Sequence, residues 1–349
     1  MQFKKIFIII ALLIIPLIFS GCSLPFGPQS GNTRATGPKG IFKSTDTGDN
    51  WQEKNFIVGL EKTLAGYNNY KMAFDVFDNN IIYRGTNVGL FVSQDAGDNW
   101  HQIYDGNINN FVLNPKSRGI IYLISGNQLY KTTNNGVNWQ LIYTEGKQNV
   151  AINGLAISHF DTSYIYILTS DGSLLLSSDW GDSWQSIYSF TDKTNKLYIS
   201  PYNSQSMFVA TDREIFRSMD AGKNWQPLLA DQRENFPAID QFRELQFGSQ
   251  ANQLVYLSKY GILKSNNNGD TWQTITLITQ ANTVDINTFS INPKNSAELY
   301  YIVDNILYYS VDDGRNWKTK LVPVPGGGKA NQLLINNQDT NVIYLSIGQ

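Results

Sequence analysis

One eight-residue pattern, Ser/Thr-x-Asp/Asn-x-Gly-x-x-Trp, recurs seven times and leaves this chain few ways to fold. It ends at Trp51, Trp100, Trp139, Trp184, Trp225, Trp272 and Trp317, so seven of the chain's eight tryptophans occupy one equivalent position. Successive tryptophans lie 49, 39, 45, 41, 47 and 45 residues apart. Self-similarity at such a period marks a repeat architecture in which each unit buries its apolar face against the next. Each element of the pattern has a physical task. The third residue (Asp46, Asp95, Asn134, Asp179, Asp220, Asn267 or Asp312) can accept hydrogen bonds from N–H groups of its own turn. Glycine two residues later supplies the positive φ that closes the turn without a Cβ clash. The tryptophan then returns along the next strand and packs a large ring against the repeat.

Before six of the motifs runs a second shared pattern: an aliphatic strand, a turn, and an aliphatic-aromatic strand. FVLNPKSRGIIYLI precedes Trp139, and FSINPKNSAELYYIV precedes Trp317. Pro115 to Tyr122, Pro201 to Phe208 and Pro293 to Tyr300 repeat one spacing, and the aromatic precedes its tryptophan by 16 to 18 residues each time. Short strands at regular spacing, about four per 44-residue unit, fit a propeller blade. The ends are complementary. Residues from Gly40 onward begin with a motif hairpin lacking the strands that should precede it, and Leu333 to Ile347 supply such strands without a motif. Joining them completes a seventh blade and leaves no open edge. The expected fold is all-β: a single seven-bladed β-propeller with four-stranded antiparallel blades, spanning 39–349, closed by N- and C-terminal strands in one shared blade.

Ahead of the domain, Lys4 and Lys5 precede an apolar run from Ile6 to Phe19 that ends in Phe19-Ser20-Gly21-Cys22. The run is shorter than the roughly 20 residues of a membrane-spanning helix and matches a signal-peptide core. Small residues followed by Cys resemble the lipobox of bacterial lipoproteins, and Cys22 is the chain's only cysteine. Residues 1–21 are therefore read as a lipoprotein signal peptide and Cys22 as the lipidated residue. Residues 22–38, rich in Gly, Pro and Ser, read as a flexible tether. The expected location is extracytoplasmic, anchored by lipid to the cell membrane or outer membrane. An ordinary cleaved leader or an uncleaved anchor is the alternative.

Removing residues 1–21 leaves 25 basic against 29 acidic residues. No field of one sign steers nucleic acid. A lone cysteine excludes an internal disulfide and a Cys-based zinc site. Asp49, Asp98, Asp182 and Asp270 give four motifs a D/N-x-G-D appearance, yet a calcium loop needs alternating oxygen ligands closed by a bidentate Glu, and none follows. Two motifs also replace the third-position acid with Asn. No metal or cofactor is expected. His101 and His159 are solitary, and no P-loop, G-x-S-x-G or H-E-x-x-H pattern occurs.

The repeated motif resembles the Asp-box of sialidase-type propellers. A single propeller of this length behind a lipobox looks like the photosystem II assembly and stability factors, with sialidases, xyloglucan-cleaving hydrolases and sortilin-type receptors as wider relatives. The first resemblance implies a non-catalytic scaffold for a protein or assembly intermediate; the wider one implies a glycan-binding or glycoside-hydrolase propeller. This chain departs from both. Only eight arginines occur, with Arg213 and Arg217, and Arg233 and Arg243, loosely grouped, whereas the photosystem factors carry an arginine-rich surface. Sialidases have six blades and an Arg-Ile-Pro motif, absent here, and the xyloglucan hydrolases set catalytic aspartates between two propellers. Nothing in one sequence pairs two carboxylates at the spacing glycoside hydrolysis requires.

A binding rim is legible by alignment. Placing the inner strands on their first aliphatic residue (Met72, Phe111, Leu155, Leu197, Leu245, Phe289, Leu333) puts Tyr70, Asn109, Asn153, Asn195, Arg243, Asn287 and Asn331 two residues earlier. These seven would ring the channel mouth on the face opposite the motif turns, as a polar rim for a peptide or small polar ligand. Asn also suits a turn that leads into a strand. The same face is expected to carry the long insertions Asn55 to Tyr70, Leu229 to Glu244 and Thr319 to Lys329, whose aromatics and charges could serve as contacts.

Overall fold

Seven antiparallel sheets of four strands make up the computed structural model, which describes residues 39–279, 282–324 and 328–348. The leader, Cys22 and the tether lie outside the described residues, as do residues 325–327 of the third insertion. Among the described residues no helix is long and apolar enough to cross a membrane. Six sheets are continuous in sequence; their innermost strands are Asn69–Phe74, Asn110–Leu113, Ile152–Ile157, Thr194–Ile199, Phe242–Phe247 and Thr288–Asn292. These are blades 1 to 6. Blade 7 combines Lys329–Ile335 and Ile343–Gly348 from the end of the chain with Gly40–Ser44 and Gln52–Glu53 from its beginning. The joint runs in antiparallel register from Gly40 opposite Ile347 to Ser44 opposite Ile343. The expected closure, two strands from each end, is the observed one.

Burial explains the strand sequences. Each sheet packs on both faces, so second strands such as Ile165–Thr169 and Met207–Thr211 are largely apolar and buried throughout, while outermost strands such as Gln185–Ser189 keep exposed polar positions. Seven apolar clusters occupy the seven spaces between neighbouring blades. The one between blades 7 and 1 joins Ile41 and Tyr344 to Met72, Ile82 and Phe91. The strand-two aromatics Tyr83, Tyr122, Tyr166, Phe208, Tyr256, Tyr300 and Tyr344 are all buried.

The motif turns are built alike. Ser218 Oγ donates to Asp220 Oδ1 at 2.8 Å and accepts the Gly222 N–H at 2.8 Å, while Asp220 Oδ1 also accepts from Asn224 N at 2.9 Å. Asn134 keeps the same bonds, from Thr132 Oγ1 at 2.9 Å and Asn138 N at 3.0 Å, which is why amide can replace acid there. Two residues, not one, take positive φ. The fourth position joins the glycine, with φ between 57° and 63° at Thr47, Ala96, Asn135, Trp180, Ala221, Asn268 and Asp313. This conformation turns the fourth N–H toward the other hairpin of the same blade, where it reaches a carbonyl oxygen at 2.8–3.1 Å in all seven blades. Each motif thus ties the inner hairpin to the outer one.

Ties between blades come from the flanks. Trp139 Nε1 donates to Ile103 O of blade 1 at 2.8 Å, and Trp317 Nε1 to Thr276 O of blade 5 at 2.8 Å. Trp184 and Trp225 instead bond the glycine carbonyl of their own turn. Trp100 and Trp272 are buried, and the other five motif tryptophans are half-buried against the clusters. Three of the motif's four second acids pair with cations of the preceding blade, Asp270 with Arg217 at 2.7 Å, Asp49 with Lys320 at 3.1 Å, and Asp98 with Lys54.

Candidate partner-binding face

Strand direction separates two faces. In each blade the inner strand runs toward the motif turns, so its first residues and the connections between blades lie on the opposite face. The aligned residues fall at one backbone position there, and it is an irregular one. Tyr70, Asn153, Asn195, Arg243 and Asn331 are each the extra residue where the inner strand's register slips against strand two. Such a β-bulge leaves a residue outside the ladder and turns its side chain away from the sheet. Asn109 and Asn287 stand one residue before their strands, with N–H groups donating to Ile124 O and Ile302 O at 2.9 and 2.8 Å. Tyr70, Asn109, Asn195, Arg243 and Asn331 are exposed; Asn153 and Asn287 are half-buried.

Several of these side chains already have partners. Asn109 Oδ1 accepts from Gly126 N and Asn287 Oδ1 from Asp304 N, both at 2.9 Å, so each braces the turn between strands two and three of its own blade. Asn153 Nδ2 reaches Thr194 O of blade 4 at 2.6 Å, and Asn195 Nδ2 reaches Asp212 at 3.1 Å. Arg243 pairs with Asp285 at 2.8 Å, and Asp285 also takes Lys259 at 2.5 Å. The Lys259 ammonium, with Arg243, holds the Asp285 carboxyl below the usual carboxylate range. Lys147 with Asp171 at 2.7 Å adds a further exposed ion pair on this face. The face carries a circle of polar groups with ion pairs among them, Arg243 and Lys259 on Asp285 and Lys147 on Asp171.

The insertions differ from the sequence-based expectation. In the first, Ile57 forms a parallel bridge with Trp100, and Trp100 N donates to Phe56 O at 3.0 Å. Residues 54–58 therefore run along the outer edge of blade 1 beside Trp100, and not on the face opposite the motif turns. Ile57 and Leu64 anchor the loop in the core, leaving Phe56, Val58 and Leu60 exposed on the flank. In the second, Phe236 packs on Tyr260 and Phe242 on Tyr256, so both aromatics face inward. Its organiser is Glu214, 6% exposed, whose Oε1 accepts from Ile215, Leu228 and Leu229 N–H groups and whose Oε2 takes Arg233 at 3.1 Å. Burial nevertheless pushes the Glu214 carboxyl up.

One step along the same alignment lie residues the sequence reading passed over: Lys71, Asn110, Gly154, Lys196, Glu244, Thr288 and Gln332. Five of them, Lys71, Asn110, Lys196, Glu244 and Gln332, make contacts between neighbouring blades. Gln332 clamps Met72, accepting its N–H at 2.6 Å and donating to its carbonyl at 3.0 Å. Lys196 pairs with Glu244 at 2.6 Å, and Tyr198 Oη donates to the same carboxylate at 3.2 Å. Below them the channel opens into a cavity of about 420 Å³ walled by blades 1 to 5. His159, whose pKa burial pushes down, stands near its motif-face end, while His101 is exposed on an outermost strand. Among the described residues no group of three or more His, Cys, Asp or Glu could hold a metal ion.

Fold and face together define a seven-bladed propeller with a polar, ion-paired face around its channel, and known proteins share that fold. The GH74 xyloglucanase of Xanthomonas campestris superposes with a TM-score of 0.63 at 17% identity, covering 87% of this chain and 52% of that one. YCF48 bound to D1 peptide superposes with a TM-score of 0.61 at 14% identity, covering 89% and 97%. YCF48 from Cyanidioschyzon merolae gives 0.59 at 12% identity over 80% and 95%. In sequence, 92 residues are 29% identical to the vacuolar protein sorting/targeting protein PEP1 of Saccharomyces cerevisiae, covering 25% of this chain and 6% of that protein. No family model matches the chain. At these identities the structural likeness establishes the fold alone.

Proposed function

We propose that this protein is a non-catalytic scaffold, tethered outside the cytoplasm through a lipidated Cys22, that holds a protein partner or assembly intermediate on the face bearing Tyr70, Asn195 and Arg243. The observation that carries this reading is the pairing of acids on that face. Glu244, Asp285 and Asp171 each contact a lysine, and the Asp285 and Asp171 carboxyls are held below the ordinary range. A glycosidase acid needs the reverse, a carboxyl raised enough to carry a proton near neutrality. The carboxyl that burial does raise, Glu214, is spent on the N–H groups of Ile215, Leu228 and Leu229, at the entry to the second insertion. Exposed, paired charges around a polar centre suit a wet, specific protein contact. A YCF48 structure with a bound D1 peptide lends support by showing one propeller of this fold engaging a peptide.

The second reading, a glycan-active or glycan-binding propeller, draws on the likeness to GH74 enzymes. Site-specific photo-crosslinking in the native envelope separates the two. Crosslinkers at Asn195 and Arg243 are expected to yield one discrete protein adduct, and crosslinkers at Asp49 and Asp182 on the motif face none. Adducts from the motif face alone would overturn the assignment of the face. Xyloglucan hydrolysis by the purified protein would overturn the non-catalytic reading.

A further inference from the structure

We propose that the central channel is a binding site for a small apolar anion, a carboxylate on an aliphatic body, with the Lys71 ammonium at its anionic end. This site is distinct from the face assigned above. Lys71 projects from the inner strand of blade 1, and its Nζ donates to two neutral oxygens, Asn110 Oδ1 at 3.0 Å and Phe111 O at 2.7 Å. An ammonium carries three donors, and among the described residues no carboxylate contacts this one. The acid facing it across the channel, Glu244, is committed to Lys196 and the Tyr198 hydroxyl. The Lys196 ammonium and the Glu244 carboxylate lie close enough to act on Lys71 electrostatically, but neither is its contact partner. Lys71 is half-buried, a charge withdrawn from water gains from a partner of opposite sign, and an incoming anion would supply it.

The cavity beyond Lys71 fixes the rest of the ligand. It is walled by Phe74, Val112, Leu113, Ile157, Ile199 and Phe247, side chains that offer an organic body dispersion contacts and no hydrogen bonds. Its volume of about 420 Å³ falls in the range of small-molecule sites. His159 at the far end stays neutral at pH 7, because burial lowers its pKa, so the cavity holds positive charge at one end only. Burial, with Lys196 adding to it and Glu244 opposing, brings the Lys71 pKa down to about 8. Anion binding favours the protonated form, so affinity should fall as pH rises past that value.

Isothermal titration of the full-length lipoprotein with octanoate, octanol and octylammonium reads the site. Octanoate is expected to bind at least tenfold more tightly than octanol, with octylammonium weakest. Lys71→Met, which keeps the stem and removes the charge, is expected to weaken octanoate at least tenfold and leave octanol unchanged. If that variant does not fold, the wild-type protein suffices: octanoate affinity should drop between pH 7 and 9.5 while octanol affinity stays level. Equal binding of octanoate and octanol, no binding of either, or a flat octanoate pH profile would each overturn the proposal.

Discussion

Phe42 and Leu345, from opposite ends of the chain, stand directly opposite one another where the first strand meets the last. Both are buried in the cluster that joins blades 6 and 7. The ring is thus held shut by the same packing that joins every other pair of blades. Leu345→Ala is expected to cost about 2–5 kcal/mol, the range for emptying a packed aliphatic site. Because the joint supports two interfaces, the loss should appear as a lower midpoint of one cooperative denaturant transition, with no separate early phase.

The motif turns predict a graded series. Ser218 is buried, and its Oγ is the acceptor for the Gly222 N–H. Ser218→Ala should destabilise by about 1–3 kcal/mol, the penalty for a buried donor left without a partner. Asp220→Asn should be milder than Asp220→Ala, because Asn134 and Asn267 already hold their turns through Oδ1. Thermal midpoints of the three variants in parallel give the order.

Acid should loosen the turns in a defined window. Hydrogen bonds from the seventh-position side chain and N–H hold the carboxyls of Asp46, Asp179, Asp220 and Asp312 at about 2. A folded-state pKa below the unfolded value of about 3.9 means the stabilisation is complete above pH 4 and lost as pH falls toward 2. Denaturant midpoints should be level from pH 7 to 5 and decline between pH 4 and 2. The groups are exposed, so added salt should shrink the decline.

Glu214 should matter to the second insertion and not to the ring. Glu214→Ala strips the acceptor from the Ile215, Leu228 and Leu229 N–H groups, and should release residues 229–241 to limited proteolysis. Glu214→Gln keeps an oxygen for those three donors and loses Arg233, so it should protect the loop far better than Ala. Equal cleavage of the two variants would contradict this account of the carboxylate.

The blade count and the joint were legible because glycine and tryptophan mark the same point in every unit and the two ends were visibly partial. The positive φ at the motif's fourth position was not, because Thr, Ala, Trp and Asp stand there beside Asn. Only the shared bond to the neighbouring hairpin reveals what that residue does. Alignment on Met72 and its counterparts found the bulge residues without revealing the bulges, which belong to the pairing of two strands and leave no single-residue mark. Lys71 and Lys196 escaped notice because nothing separates a channel lysine from a surface one until the ring closes. The path of residues 54–58 was equally hidden, since its bridge to Trp100 follows no periodic pattern.

Both faces, the bulge circle and the channel exist only if the chain's ends share a blade. Hydrogen–deuterium exchange of the intact protein, read by mass spectrometry, tests this most directly. Peptides covering Gly40–Ser44 and Ile343–Gly348 should be protected as strongly as Met207–Thr211 in the middle of blade 4, and all should open together as denaturant is raised. Rapid exchange of Gly40–Ser44 while blade 4 remains protected would contradict the closed ring.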